Sequence, residues 1–301
     1  MEKKAYKKQV ALLLDVLPDV AKESCFALHG GTAINFFVNN MPRFSIDIDL
    51  TYLPLESRDS SLMSIEEALD RIMMRIQKRS ADTKVWHKRN VGKLFISQKD
   101  VDIKVEVNFV GRGTIEAPER NILCSAAQTE FNVSCSIQVV PLGQLYGGKI
   151  CAALDRQHPR DLFDVKNLLD NEGFSERVKR GFLFCLLGGD RPIHELIVPN
   201  LLDQRIVMET QFVGMTDHDF SYDDYVLTRD LLLKTLHTQL TEADKQFLDD
   251  FKNTTPNWGL YDFEKFPSVA WKLQNLKRLK MENPQKHLDQ QRMLKRVLDA
   301  L

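Results

Sequence analysis

The chain has few of the features that place a protein by composition alone. Its cysteines number five, Cys25, Cys124, Cys135, Cys151 and Cys185, with no C-x-x-C spacing. An odd count without paired spacing argues against both a disulfide framework and a zinc site, and predicts reduced thiols held mostly in the core. Glycine and proline are sparse, 14 and 11 in 301 residues, which excludes collagen-like and low-complexity structure. No stretch approaches the roughly 18 apolar residues of a membrane span. The N-terminal run Val10–Leu14 closes at Asp15, too soon for a secretion signal, so the expectation is a soluble, cytoplasmic chain with no membrane partner. Net charge is nearly absent as well, 41 basic against 42 acidic side chains. With 43% hydrophobic and 28% charged residues, the chain has the proportions of a folded globular protein of one large or two ordinary domains.

The neutral total hides a gradient. Residues 200–264 carry 13 acidic and five basic side chains, whereas residues 265–301 carry nine basic and three acidic ones. A basic C-terminal segment suits contact with phosphates, and equally suits a solvated helix face.

Periodicity changes halfway along the chain. Lys3–Leu17 has helical spacing, with Pro18 as its expected stop. Phe44–Tyr52 alternates strictly, Phe44, Ile46, Ile48, Leu50 and Tyr52 to one side and Ser45, Asp47, Asp49 and Thr51 to the other. Ser64-Ile-Glu-Glu67 reads as a capping box opening a helix to about Arg79. Strands are expected near Lys84–Arg89, Lys93–Gln98 and Val101–Val110. Beyond residue 141 strand patterns cease. Helices are expected at Leu142–Arg156, Arg160–Asn171, Ser175–Leu187, Tyr225–Thr238, Thr241–Lys252, Pro267–Lys280 and Pro284–Ala300. This order predicts an α+β fold class: a mixed sheet with flanking helices over residues 1–140, then an all-helical domain over 141–301.

One constellation carries chemistry. Gly30-Gly31 precedes a short helical stretch, and Asp47-Ile-Asp49 follows on a strand. Paired glycines let backbone approach a phosphate, and a helix start adds unpaired N–H groups. Two carboxylates on one strand face repel each other until a divalent cation joins them, and hard oxygen donors suit Mg²⁺. A lone D-x-D is usually a solvated edge and a lone Gly-Gly usually a turn; it is their succession that points to a site. Two-metal phosphoryl transfer is helped by a third acid, and the polar face of Val101–Val110 offers Asp102 and Glu106. His29, His87, His158 and His194 show no ligand spacing and read as structural or exposed. The aromatics between Trp258 and Trp271 read as packing rather than as a base-stacking platform.

His29-Gly-Gly-Thr-Ala33 followed by Arg43-Phe-Ser-Ile-Asp-Ile-Asp-Leu50 resembles the signature of the DNA polymerase β-like nucleotidyltransferase superfamily. More narrowly it resembles the AbiEii/AbiGii toxins, the enzyme half of bacterial type IV toxin–antitoxin systems. Gly148-Lys-Ile-Cys-Ala-Ala-Leu-Asp-Arg156 and Pro159-Arg-Asp-Leu-Phe-Asp164 resemble that family's Lys-bearing helix and R-D-x-x-D helix start, and Trp271-Lys-Leu-Gln-Asn-Leu276 is a weaker echo.

The resemblance implies a nucleotidyltransferase fold and transfer of a nucleoside monophosphate from an NTP to an acceptor. Gly30, Gly31 and Thr32 would hold the phosphates, with Arg43 and Ser45 flanking them. Asp47 and Asp49 would bind two Mg²⁺ ions, or Mn²⁺ in their place. The third carboxylate would be Glu106 or Asp102, Glu106 fitting the family's strand better. From the helical domain Lys149 would face the leaving phosphates, Asp164 would be a functional acid, and Asp161 a partner of Arg160 or Lys149. Without the family, Lys149 reads as a surface lysine. The implied acceptor is the 3′ end of tRNA, and the implied partner a cognate antitoxin. Transfer to a protein or small molecule is the enzymatic alternative. A nucleotide-binding regulator without catalysis is the other, against which the intact Asp47/Asp49 pair argues.

Overall fold

The structure is a computed structural model describing residues 3–301. In chain order its elements are α1 (Lys3–Val20), β1 (Phe26–His29), α2 (Gly30–Ala33, continuing as a wide turn over Ile34–Val38), β2 (Asp47–Tyr52), α3 (Arg58–Arg79), β3 (Thr83–Lys88), β4 (Lys93–Gln98), β5 (Val101–Val107), β6 (Glu119–Ile122), α4 (Ser125–Phe131) and β7 (Ser136–Val139). Helices follow: α5 (Leu142–Asp155), α6 (Pro159–Asn171), α7 (Glu176–Gly188), α8 (Ile193–Ile197), α9 (Arg205–Val207), α10 (Tyr222–Gln239), α11 (Glu242–Lys252), α12 (Pro267–Glu282) and α13 (Pro284–Asp299). Contacts divide the chain into two compact units. One runs to Pro141 and takes in Ile206–Asp219; the other holds Leu142–Arg205 and Phe220–Leu301. No helix among the described residues is long and apolar enough to cross a membrane.

The first unit is built on a mixed seven-stranded sheet ordered β3-β4-β5-β2-β1-β7-β6. β2 runs antiparallel to β1 and parallel to β5, while β1 runs parallel to β7. Alternation puts Ile48, Leu50 and Tyr52 of β2 and Ile103, Val105 and Val107 of β5 into the core, all buried. The apolar stripes of α1 and α3 pack in this unit; Val10, Leu13, Leu17, Ile65, Leu69 and Ile72 are fully enclosed. An ion-pair ladder ties the two helices together. Arg71 and Arg75 grip the buried Glu23, and Arg79 bridges Asp15 and Asp19.

Several local expectations yield to tertiary context. Helix α1 continues past Pro18, near its end, where one backbone bond is forfeited while Val16, Leu17 and Val20 are buried. Helix α3 begins at Arg58, not Ser64. Ser57 is the cap, accepting from the Ser60 amide at 3.2 Å, and Ser64 lies inside the helix. Phe44–Ile46 is not strand, because the Phe44 amide donates to the Met215 carbonyl at 2.7 Å instead of to a sheet neighbour. Strand β5 stops at Val107, where Asn108 Oδ1 accepts from the amides of Val110 and Gly111 and turns the chain. Strands β6 and β7 have only four residues each, too few to show alternation. The cysteines are partly exposed by residue rather than buried outright, and none forms a disulfide.

In the second unit α5 and α7 meet backbone to backbone. A Cβ on Gly181 would lie 1.9 Å from the Gly143 carbonyl oxygen, and one on Gly147 would lie 2.2 Å from the Gly181 carbonyl carbon. Glycine at these three positions sets how near the helices come. Helices α10 and α11 open with full capping boxes, Ser221 with Asp224 and Thr241 with Asp244.

Candidate active site

Strand register assembles the predicted acids of the first unit. β2 and β5 run parallel with Asp47 opposite Lys104 and Asp49 opposite Glu106. These four side chains therefore rise from one sheet face, opposite the apolar residues just described. Lys93 of β4 stands opposite Glu106 on the same face, and His29 of β1 opposite Asp49. Glu106 is thus in register with Asp49, whereas Asp102 pairs with Ser97 nearer the start of β5.

Two lysines share this acidic face. Lys93 Nζ lies 2.9 Å from Glu106 Oε1; Lys104 Nζ lies 3.3 Å from Glu106 Oε2 and 3.8 Å from Asp47 Oδ1. Burial pushes the Glu106 carboxyl up, but both ammonium groups outweigh it, and the net shift is downward. Burial likewise pushes Lys104 down, and Asp47 with Glu106 outweighs it, leaving Lys104 raised. Sequence reading left Lys93 and Lys104 without a role. Lys104 was visible on the polar face of β5, but nothing local marked its neighbours across the sheet.

The glycine turn is fitted against the acids. Gly30 has φ +72°, and a Cβ there would sit 2.5 Å from Asp49 Oδ2. A Cβ on Gly31 would sit 2.9 Å from both Arg43 Nη2 and Ser45 Oγ. Thr32 Oγ1 donates to the Asp47 carbonyl at 2.5 Å and lies 3.1 Å from Ser45 Oγ. Arg43 is buried and donates to its neighbour's carbonyl, Phe44 O, at 2.8 Å. The loop carrying Arg43 and Ser45 is clamped by the excursion 206–219. Beside the Phe44–Met215 bond, Thr216 Oγ1 donates to the Pro42 carbonyl at 2.7 Å. Gly30, Gly31, Thr32, Arg43, Ser45, Asp47, Asp49 and Glu106 thus gather on one side of the sheet.

The donor set suits a hard divalent cation. Asp47 and Asp49 supply carboxylate oxygens from one strand face, and the missing side chain of Gly30 lets the turn pack directly against Asp49 Oδ2. Among the described residues no group of three His, Cys, Asp or Glu side chains is placed to hold a metal ion.

The predicted residues of the helical unit form a second cluster. Lys149 is buried, not a surface lysine, and its Nζ lies 2.8 Å from Asp161 Oδ1 and 2.9 Å from Asp164 Oδ2. Both acids are fully buried on α6. Asp161 is partnered by Lys149 and also by Arg156, at 2.5 Å, which sequence reading did not single out; Arg160 is not its partner in this cluster. Burial pushes the Asp161 carboxyl up, yet Lys149 and Arg156 together hold it well below the usual carboxylate range. His158 caps α6, its Nδ1 accepting from the Arg160 amide at 3.2 Å. His87 is buried against Asp70 at 2.8 Å. Phe263 and Phe266 are core, but Trp271 is 53% exposed.

The fold resembles that of MenT4, a nucleotidyltransferase toxin of Mycobacterium tuberculosis H37Rv, with a TM-score of 0.61 and 16% identity over 90% of this chain and 94% of that one. Among curated proteins none matches. The family model for the nucleotidyl transferase AbiEii toxin of type IV toxin–antitoxin systems matches residues 11–275, a span that holds every acid and glycine described above. The chain therefore belongs to the AbiEii family of nucleotidyltransferase toxins.

Proposed function

We propose that this toxin moves a nucleoside monophosphate from an NTP to the 3′ end of a tRNA, using Mg²⁺ held by Asp47 and Asp49. The observation that carries this reading is the register of β2 on β5, with Asp49 beside Glu106, Asp47 two residues away, and Gly30 against Asp49. A divalent ion there would neutralise phosphate charge and lower the pKa of the acceptor hydroxyl.

The chain's own groups do the rest. The Gly30–Thr32 turn presents backbone to the triphosphate, and Arg43 and Ser45 brace that turn from behind. The acceptor hydroxyl oxygen attacks the α-phosphorus and gives its proton to water, the bond to the bridging oxygen breaks, and pyrophosphate departs. Glu106, acidified by Lys93 and Lys104, is a poor proton acceptor and better suited to hold a cation than to deprotonate the acceptor. Lys104 lies among the acids and supplies positive charge for the triphosphate. Lys149 already serves two carboxylates, so it would reach a leaving phosphate only by exchanging Asp161 or Asp164 for it. The exposed Lys277, Arg278, Lys280, Lys286, Lys295 and Arg296 of α12 and α13 give RNA phosphates a basic surface.

The test is incubation of the purified protein with each labelled NTP, Mg²⁺ and total RNA. Label in a tRNA-sized band supports the reading. Label in a protein band or a small product moves the acceptor to the alternative class. No transfer with any NTP, with or without the antitoxin partner that a type IV toxin implies, overturns it.

A further inference from the structure

The helical unit contains a pocket of about 210 Å³ that the chemistry above does not use. It lies among residues of the α7–α8 connection, the end of α11, α12 and α13. Its lining includes Asp190, Lys252, Trp271, Lys272, Asn275 and Gln290.

Lys252 is the anomaly. It is only 5% exposed, and its Nζ donates to Gln290 Oε1 at 2.7 Å. Among the described residues it has no carboxylate within 4.0 Å. The other buried lysines behave differently: Lys149 holds Asp161 and Asp164, and Lys179 holds Glu176 and Asp244. A buried charge without a counterion is costly and is normally paired or lost. Burial does push Lys252 down to about 8, which leaves it mostly protonated at neutral pH.

A second ammonium shares the pocket. Lys272 Nζ donates to the carbonyls of Gly189 at 2.6 Å and Arg191 at 2.5 Å, capping the end of α7. That structural duty accounts for Lys272 but places a second positive charge on the wall. Asp190 also lines the pocket and its charge favours the Lys272 ammonium, though it lies within 4.0 Å of neither lysine among the described residues, so two positive charges share the wall with one negative. The rim adds the amide of Asn275 and the exposed indole of Trp271. Excess positive charge in a partly open pocket asks for an anion, and the exposed indole among its lining residues offers a base a stacking face.

We propose that this pocket binds a nucleotide unit, its phosphate on Lys252 and its base on Trp271. The unit is either a free nucleotide or one residue of an RNA strand. The pocket shares no residue with the Gly30–Asp49 constellation, so variants of one do not alter the side chains of the other.

The experiment is calorimetry on the full chain with metal chelated, using inorganic phosphate, 5′-AMP and a short single-stranded oligoribonucleotide as probes. 5′-AMP or the oligoribonucleotide should bind, and Lys252→Met should weaken binding by roughly tenfold or more. Lys252→Arg should retain part of it, and Lys234→Met, an exposed lysine on α10, should change nothing. Trp271→Ala should weaken both nucleotide probes and leave inorganic phosphate unaffected. Binding of 5′-AMP identifies a free-nucleotide site; binding of the oligoribonucleotide alone identifies an RNA site. Asp49→Asn should retain this binding even where it abolishes transfer. Absence of binding by both nucleotide probes, or wild-type affinity in a folded Lys252→Met variant, overturns the proposal.

Discussion

Gly30 and Asp49 fit so closely that a single added carbon on Gly30 would stand 2.5 Å from the Asp49 carboxylate. The turn and the acid thus form one unit, joined again through Thr32, whose hydroxyl donates to the Asp47 carbonyl. Gly30→Ala faces a steric penalty and a φ of +72°, which costs an L-residue about 1–2 kcal/mol. The expected result is nucleotidyl transfer reduced at least about a hundredfold, with a thermal midpoint only a few degrees lower. Wild-type transfer by Gly30→Ala would separate the turn from the chemistry.

Asp47→Asn and Asp49→Asn should each abolish transfer while circular dichroism stays native. Both side chains are partly open to solvent at the sheet face, so replacing a carboxylate by an isosteric amide removes charge without opening a cavity. Titration with Mn²⁺ followed by electron paramagnetic resonance should show weaker ion binding in each variant. Full activity in either one contradicts the assigned metal pair.

Lys149→Met is a different kind of variant. It strands two fully buried carboxylates, and breaking a buried ion pair costs about 3–5 kcal/mol. Its denaturant midpoint should fall sharply, and any loss of activity should track that fall. Lys166 is partly exposed and pairs with the exposed Asp170, so Lys166→Met should change stability by less than about 0.5 kcal/mol. Equal midpoints for the two variants would refute the buried cluster.

Lys252→Met should stabilise the protein, and the gain should depend on pH. Burial lowers the Lys252 pKa from 10.5 to about 8. Below pH 8 folded and unfolded chains are both protonated, and the folded state bears the full cost of the buried charge. Between pH 8 and 10.5 the folded chain releases the proton while the unfolded chain keeps it, so stability of the wild type rises with pH. The advantage of Lys252→Met should therefore be on the order of 3 kcal/mol at pH 7 and shrink toward pH 10.5. Urea unfolding at pH 7, 9 and 10.5 measures it. A pH-independent difference would mean that Lys252 is not titrating in the folded state.

By itself the sequence determined the elements and the chemistry that needs only local order. Alternation alone assigns Asp47 and Asp49 to one face and Ile48 and Leu50 to the other, because the side-chain period of a strand is two. Helices α5–α7 and α10–α13 follow from their caps, prolines and apolar spacing, and the family motifs stand as contiguous words. Pairing across distance was not legible. That Glu106 rather than Asp102 comes opposite Asp49 depends on the register of two strands more than fifty residues apart, and periodicity fixes a face but not a register. The strap 206–219 that replaces sheet pairing at Phe44 carries no pattern linking it to that strand. Lys149 has the look of a surface lysine, and only the packing of α5 on α6 brings Asp161 and Asp164 to it. Lys252 and Trp271 show the same limit, since whether a lysine is buried or an indole exposed is decided by what the rest of the chain lays over it.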